Sequence, residues 1–203
     1  MRIGIDFDNT LVNYTEIFGM IAEEMGLGSG DNAKMAVKTH LVSRQGDDTL
    51  WKEIQARVYG VLINKAVCLP DFIDFFRYAE KNGIELFIVS YKTAFAQLNG
   101  DPVSLHNAAR KWLDQNLPFF KKENVFFETA VAKKIRRIAS LDLDYYVDDL
   151  LSILYHRDFP KNVKKILFGN GSGVSARRKK TLPVTNNWTG VIRIVQNKKT
   201  LVS

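Results

Sequence analysis

The sequence is poor in the residues that build covalent or soft-metal frameworks. Its 203 residues include a single cysteine, Cys68. One thiol excludes an intrachain disulfide and a cysteine zinc cluster. Histidine is scarce as well: His40, His106 and His156 are far apart in sequence and offer no ligand spacing. No run approaches the ~18 consecutive apolar residues of a membrane span. The opening MRIGIDFDNT carries acids inside its apolar stretch, unlike a secretory signal. These absences lead us to expect a cytoplasmic protein with no membrane partner.

Acidic residues are missing from one region only. Residues 160–203 hold ten Lys or Arg and no Asp or Glu. The chain has 29 basic and 22 acidic residues in total, so the part before residue 160 carries a net charge of −3. The overall +7 is therefore local to the C-terminal stretch. That stretch contains only Phe168 and Trp188 as aromatics, a poor platform for stacked bases. Nucleic acid is not the expected partner, and the basic stretch reads as a solvated face that helps draw in anions. What is present is ordinary for a folded protein: 46% hydrophobic and 25% charged residues, enough for one domain with an insert.

Short apolar runs recur at 2–6 (RIGID), 85–90 (ELFIVS), 124–128 (NVFFE), 145–148 (YYVD) and 164–169 (KKILFG). Most are continuous rather than alternating, as strands buried on both faces are. Helical patterns separate the later ones. One follows Pro70-Asp71, with Phe72, Phe75, Phe76 and Ala79 on one face and Asn82-Gly83 as its stop. A second is expected to open at Asp101-Pro102, and a third to cover 133–141. Strands alternating with helices predict an α/β fold with a parallel sheet. The connection between the first two strands is far longer than one crossover helix. Ile17, Ile21 and Met25 recur every four residues within it, as do Leu50, Ile54 and Val58. It reads as a helical insert over residues 14–69, leaving 1–13 and 70–203 as the core.

Ligands of such sheets bind at the carboxyl ends of the strands. The first strand delivers Asp6 and Asp8 within Asp6-Phe7-Asp8-Asn9-Thr10. The second delivers Ser90, then Lys92 and Thr93. The fourth delivers Asp148 and Asp149, and Lys133 and Lys134 open the helix before it. Carboxylates meeting at one point repel each other unless a hard divalent cation relieves them, and Mg²⁺ uses one or two carboxylates plus waters and substrate phosphate. Phosphoryl transfer needs a nucleophile, a charge-neutralising metal, donors to the phosphoryl oxygens and an acid for the leaving group. The set supplies a candidate for each.

These residues resemble the haloacid dehalogenase (HAD) superfamily, whose members are mostly Mg²⁺-dependent phosphatases. Its D-x-D-x-T motif after an apolar strand is matched at Asp6–Thr10. Its Ser/Thr-ended strand is matched at Ser90, its helix-start Lys at Lys133 or Lys134, and its acid-ended strand at Asp148-Asp149. The four occur in family order. The resemblance implies a three-layer Rossmann-like fold with a small α-helical cap at 14–69. It implies Asp6 as nucleophile, Asp8 as general acid and then base, and Ser90 and Lys134 as phosphoryl-binding groups alongside Asn9 and Thr10. Asp6, Asp148 and the Asp8 carbonyl would hold Mg²⁺, with Asp149 in support. Lys134 is preferred over Lys133 because Ile138 and Leu141 then fall at +4 and +7. An acid at position 8 argues for phosphoester chemistry rather than dehalogenation, since only an alkoxide leaving group needs a proton. The expected partner is a small phosphorylated metabolite, hydrolysed through an aspartyl-phosphate. A phosphotransferase or mutase with the same intermediate, or a polyanion-binding protein acting on polynucleotide ends, are the alternatives.

Other residues carry weaker signals. His106 and Arg110 lie one helical turn apart after the Ser90 loop and could reach a substrate, as could Arg44 and Lys52 in the insert. The segment 169–173 (GNGSG) lacks a P-loop lysine and reads as a turn. Trp51 and Trp112 read as core, Trp188 as an edge residue in a polar segment, and Cys68 as buried and inert.

Overall fold

A computed structural model describes residues 1–30, 32–45, 48–69, 71–169 and 182–197. The elements, in chain order, are β1 (Arg2–Ile5), β2 (Val12–Asn13), α1 (Thr15–Glu24), α2 (Ala33–Gln45), α3 (Thr49–Ala56), β3 (Val67–Cys68), α4 (Phe72–Lys81), β4 (Glu85–Tyr91), β5 (Phe95–Leu98), β6 (Asp101–Ser104), α5 (Leu105–Asn116), β7 (Val125–Glu128), α6 (Val131–Ser140), β8 (Tyr145–Asp148), α7 (Leu151–Leu154), β9 (Lys164–Phe168), β10 (Val184–Thr185) and α8 (Trp188–Asn197). They fall into two compact units, one of residues 1–12, 68–91 and 121–203, the other of 13–67 and 92–120.

The first unit is built on a six-stranded sheet in the order β10-β9-β8-β1-β4-β7, parallel at every pairing. Its central strands are apolar because both faces are covered. On one face Ile135 and Ile138 of α6 and Ile153 and Leu154 of α7 pack with Val89, Tyr146 and Leu167. On the other, Trp188 of α8 stacks among Phe72, Phe75 and Phe168, with ring centroids 5.1, 4.8 and 5.1 Å away. This is a three-layer α/β arrangement. Trp188, expected at an edge, is fully buried. Its polar neighbours are explained by helix capping: Asp71 Oδ2 accepts from the amides of Trp188 and Thr189, and Asn187 Oδ1 from that of Gly190. Helix α4 ends as expected, with Gly83 at φ +61° and the Ile84 amide returning to the Ala79 carbonyl at 2.8 Å.

The second unit holds α1, α2 and α3, a π-helical turn at Arg57–Val61, and also β5, β6 and α5. Residues 92–120 therefore group with the helical segment rather than with the sheet, where the sequence had placed them. The helix expected from Asp101-Pro102 starts at Leu105 instead, capped by Ser104 Oγ accepting from the Asn107 amide at 3.3 Å. Residues 95–104 form an antiparallel hairpin. Asn99 and Gly100 sit at its tip with φ of +52° and +85°, the left-handed pair that a two-residue hairpin turn requires. The core of this unit is aromatic: Phe18 stacks on Trp51 at 6.0 Å, and Tyr14 meets Tyr59 edge-on at 4.8 Å. Trp112 is buried there too, its Nε1 donating to the Ala66 carbonyl at 2.9 Å. Among the described residues no helix is long and apolar enough to cross a membrane.

Candidate active site

The strand order places β1 between β8 and β4. The chain leaves β1 toward β4 and β7 on one side and returns to β8 and β9 on the other. In parallel sheets such a reversal is where ligands bind, at the carboxyl ends of the central strands. Asp6 follows β1 directly, its amide extending the ladder to the Val147 carbonyl at 2.9 Å. Ser90 lies near the end of β4, and Asp148 ends β8.

Three carboxylates, of Asp6, Asp148 and Asp149, each offer an oxygen within 4.8 Å of the others. Lys134 Nζ lies 2.6 Å from Asp6 Oδ1 and 2.7 Å from Asp148 Oδ2. All three of these paired groups are buried, at 5, 0 and 1% exposure for Asp6, Asp148 and Lys134. The second oxygen of Asp148 accepts from the Leu150 amide at 2.8 Å, so this residue also steadies the start of α7. Lys133, the competing lysine, is exposed and donates to Thr129 Oγ1 at 3.2 Å. The difference follows from helix geometry. Ile138 is one turn beyond Lys134 on the face of α6 that packs on the sheet, and the buried face of that helix is Lys134, Ile135 and Ile138.

The Asp8 carboxylate is outside the acidic trio but acts on Asp6. Burial pushes the Asp6 carboxyl up to about 7; Lys134 opposes this, while Asp148 and Asp8 add to it. Burial would lower Lys134, but Asp6 and Asp148 outweigh it and hold the ammonium above its ordinary value. Among the described residues, one ammonium is paired with two carboxylates of this trio. Asn9, at φ +60°, turns the chain after Asp8 and is exposed. Short-range amide bonds from Leu11 and Val12 to the Phe7 carbonyl close that turn. Thr10 and Ser90 are buried, and neither hydroxyl has a hydrogen-bond partner. Buried hydroxyls are normally satisfied; Thr10 follows β1 and Ser90 lies near the end of β4, so both are placed to donate to a polar group bound at that end of the sheet.

The structure thus brings together Asp6, Lys134, Asp148 and Asp149. It puts the orphan hydroxyls of Thr10 and Ser90 at the same sheet end, and leaves Asn9 at the surface. The weaker candidates His106, Arg110 and Lys52 belong to the second unit. His106 Nε2 is bonded to the Lys92 carbonyl at 2.8 Å, within the second unit. Lys52 forms an exposed ion pair with Asp48 at 2.8 Å. The Arg44 side chain, residues 170–181 and 198–203 of the basic C-terminal stretch, and with them most of the 169–173 segment, lie outside the described residues. Cys68 is half-buried rather than buried, and burial pushes its thiol up to about 12. Sequence reasoning passed over Tyr146. It is fully buried, and its hydroxyl donates to the Val89 carbonyl at 2.6 Å. Its phenol is pushed well above its ordinary range, first by burial and then by the charges of Asp148 and Asp6.

The fold, a six-stranded parallel sheet covered by helices, is shared with solved HAD-like hydrolases. A predicted phosphatase from Clostridium acetobutylicum has a solved structure similar to this one over 97% of this chain and 98% of that one, with TM-score 0.62 and 11% identity. A HAD family hydrolase from Deinococcus radiodurans, solved with bound phosphate and sodium, is similar over 97% and 95%, with TM-score 0.61 and 10% identity. A family IA, variant 3 HAD hydrolase from Entamoeba histolytica is similar over 93% of each chain, with TM-score 0.57 and 12% identity. No protein-family model matches the sequence, and no curated protein does.

Proposed function

We propose that the protein is a Mg²⁺-dependent phosphatase that hydrolyses a small phosphorylated metabolite through an aspartyl-phosphate on Asp6. The observation that carries this reading is the buried Lys134 ammonium held between Asp6 and Asp148, together with unsatisfied hydroxyls on Thr10 and Ser90, which follow β1 and lie near the end of β4. A structural ion pair would have no use for either orphan. In the reaction, an Asp6 carboxylate oxygen attacks phosphorus and the bond to the ester oxygen breaks. Asp8 gives its proton to the departing alkoxide. Asp8 then takes a proton from water, whose oxygen attacks the same phosphorus and releases orthophosphate, restoring Asp6. Ser90 and Thr10 donate to phosphoryl oxygens. Lys134 places a fixed positive charge against them and orients the nucleophile.

The donor set fits a hard divalent cation: hard oxygens of three clustered carboxylates, two of them paired with one ammonium. Asp6, Asp148 and Asp149 would hold Mg²⁺, with the Asp8 backbone carbonyl completing the protein's share. The ion supplies charge neutralisation for the phosphoryl group.

The test is a panel of phosphorylated metabolites with and without Mg²⁺, scored by released phosphate for wild type and Asp6→Asn. The reading predicts Mg²⁺-dependent release that Asp6→Asn abolishes. Robust turnover by Asp6→Asn would remove the nucleophile assignment. Phosphorylated acceptor in place of free phosphate would make the enzyme a phosphotransferase.

A further inference from the structure

Tyr146 is a large, fully buried polar side chain that the chemistry above does not use. It lies on β8, two residues before Asp148, and its register partner on β1 is Gly4. A Cβ on Gly4 would stand 2.7 and 3.2 Å from the ring's Cδ2 and Cε2, and 2.5 Å from Leu143 Cδ1. The ring therefore lies directly on the β1 backbone, and glycine is the residue that leaves it room. Its hydroxyl reaches beyond β1 to β4, where it donates to the carbonyl of Val89, the residue before Ser90. Above the ring, the Lys134 ammonium sits 5.6 Å from its centroid. One side chain thus spans three adjacent strands whose ends carry Asp148, Asp6 and Ser90, and it underlies the ammonium that pairs with two of them.

We propose that Tyr146, seated on Gly4, is a positioning residue that sets the β8–β4 spacing at the site and holds the Lys134 ammonium between Asp6 and Asp148. The catalytic part of this inference rests on the phosphatase reading; the positional part does not. Two physical contributions are separable. The hydroxyl bond fixes the strand that carries Ser90. The ring face gives the cation an electrostatically favourable floor, so that Lys134 does not swing toward one carboxylate.

The experiment uses the full-length protein with Tyr146→Phe, Tyr146→Leu and Gly4→Ala, and reads two quantities. The first is steady-state phosphate release. Tyr146→Phe should lower kcat about five- to tenfold, the worth of one buried hydrogen bond, with KM within about twofold. Tyr146→Leu should lower kcat about a hundredfold, the effect of roughly 1 Å of misplacement, and Gly4→Ala should fall between. The second is the NMR signal of the Lys134 ammonium in ¹⁵N-lysine-labelled protein, assigned by its loss in Lys134→Met. It should persist in Tyr146→Phe, which keeps the ring, and should shift or broaden in Tyr146→Leu. A folded Tyr146→Leu protein with an unmoved Lys134 signal overturns the proposal, as does a loss confined to KM. If wild type releases no phosphate from any ester, the phosphatase reading fails and the NMR comparison alone still decides the positioning role.

Discussion

Lys134→Met removes the one ammonium between two buried carboxylates, and its cost can be worked from the geometry. At 2.6 and 2.7 Å, each pair is worth a gross attraction of about 6 kcal/mol at an effective dielectric of about 20. Much of that offsets the burial of three ions, which costs several kcal/mol per ion. Removing one partner of a buried pair leaves that penalty uncompensated, typically about 3–5 kcal/mol. Protonation of Asp6, already pushed up to about 7, relieves part of it and favours the lower end. At roughly 2–4 °C per kcal/mol for a chain of this size, the metal-free variant should melt about 6–12 °C below wild type at pH 8. The sign of the pH dependence follows from the raised carboxyl. A group whose folded pKa is above its unfolded value contributes stability at low pH and loses it as pH rises through the folded value. Lys134 holds the Asp6 carboxyl down, so its loss raises that carboxyl further and the variant loses more stability than wild type as pH rises; its deficit should shrink at pH 5, where Asp6 is protonated in both, and grow toward pH 8. Circular-dichroism melts at both pH values check this. A variant within 2 °C of wild type at pH 8 by that assay would refute the reasoning. Activity should fall about 10²–10³-fold, as for other preorganised electrostatic groups.

Three further outcomes are expected. Mg²⁺ at about a hundredfold over its Kd should stabilise wild type by about 2.7 kcal/mol, some 5–10 °C, and Asp148→Asn should abolish that shift in a thermal melt. Trp188→Ala should cost about 3–5 kcal/mol in urea unfolding, against about 1 kcal/mol for Asp71→Ala, which removes only the cap on α8. Cys68 should resist thiol-exchange reagents in the native protein at pH 8, because its thiol is pushed up to about 12, and should react on unfolding.

The parts of this architecture that were legible in the sequence are those with a strong local cause. Central parallel strands must be apolar on both sides, so β1, β4, β8 and β9 stand out as continuous runs. Their carboxyl ends are where the polar residues begin, and that drew attention to Asp6, Ser90 and Asp148. The +4 spacing of Ile138 singled out Lys134 over Lys133, and its burial follows from the same periodicity. The hairpin at 95–104 was obscured by a competing signal. Asp101-Pro102 resembles a helix start, yet Asn99-Gly100 is a hairpin turn pair, and the turn prevailed with Pro102 tolerated in a strand of a two-stranded sheet. Trp188 misled because its neighbours are polar for capping, not for exposure. The Tyr146–Gly4 contact joins residues 142 positions apart, and nothing local in either segment announces it. The grouping of residues 92–120 with the helical segment likewise rests on tertiary packing that a pattern read along the chain does not register.

The most direct measurement of the central claim is to trap the covalent intermediate. Wild-type protein turning over a hydrolysable phosphoester with Mg²⁺ is acid-quenched, reduced with borohydride and mapped by peptide mass spectrometry. The account predicts modification at Asp6 in the peptide beginning at the N-terminus, absent without substrate and absent in Asp6→Asn. Steady phosphate release with no modification at Asp6, or with modification at another residue, would contradict it.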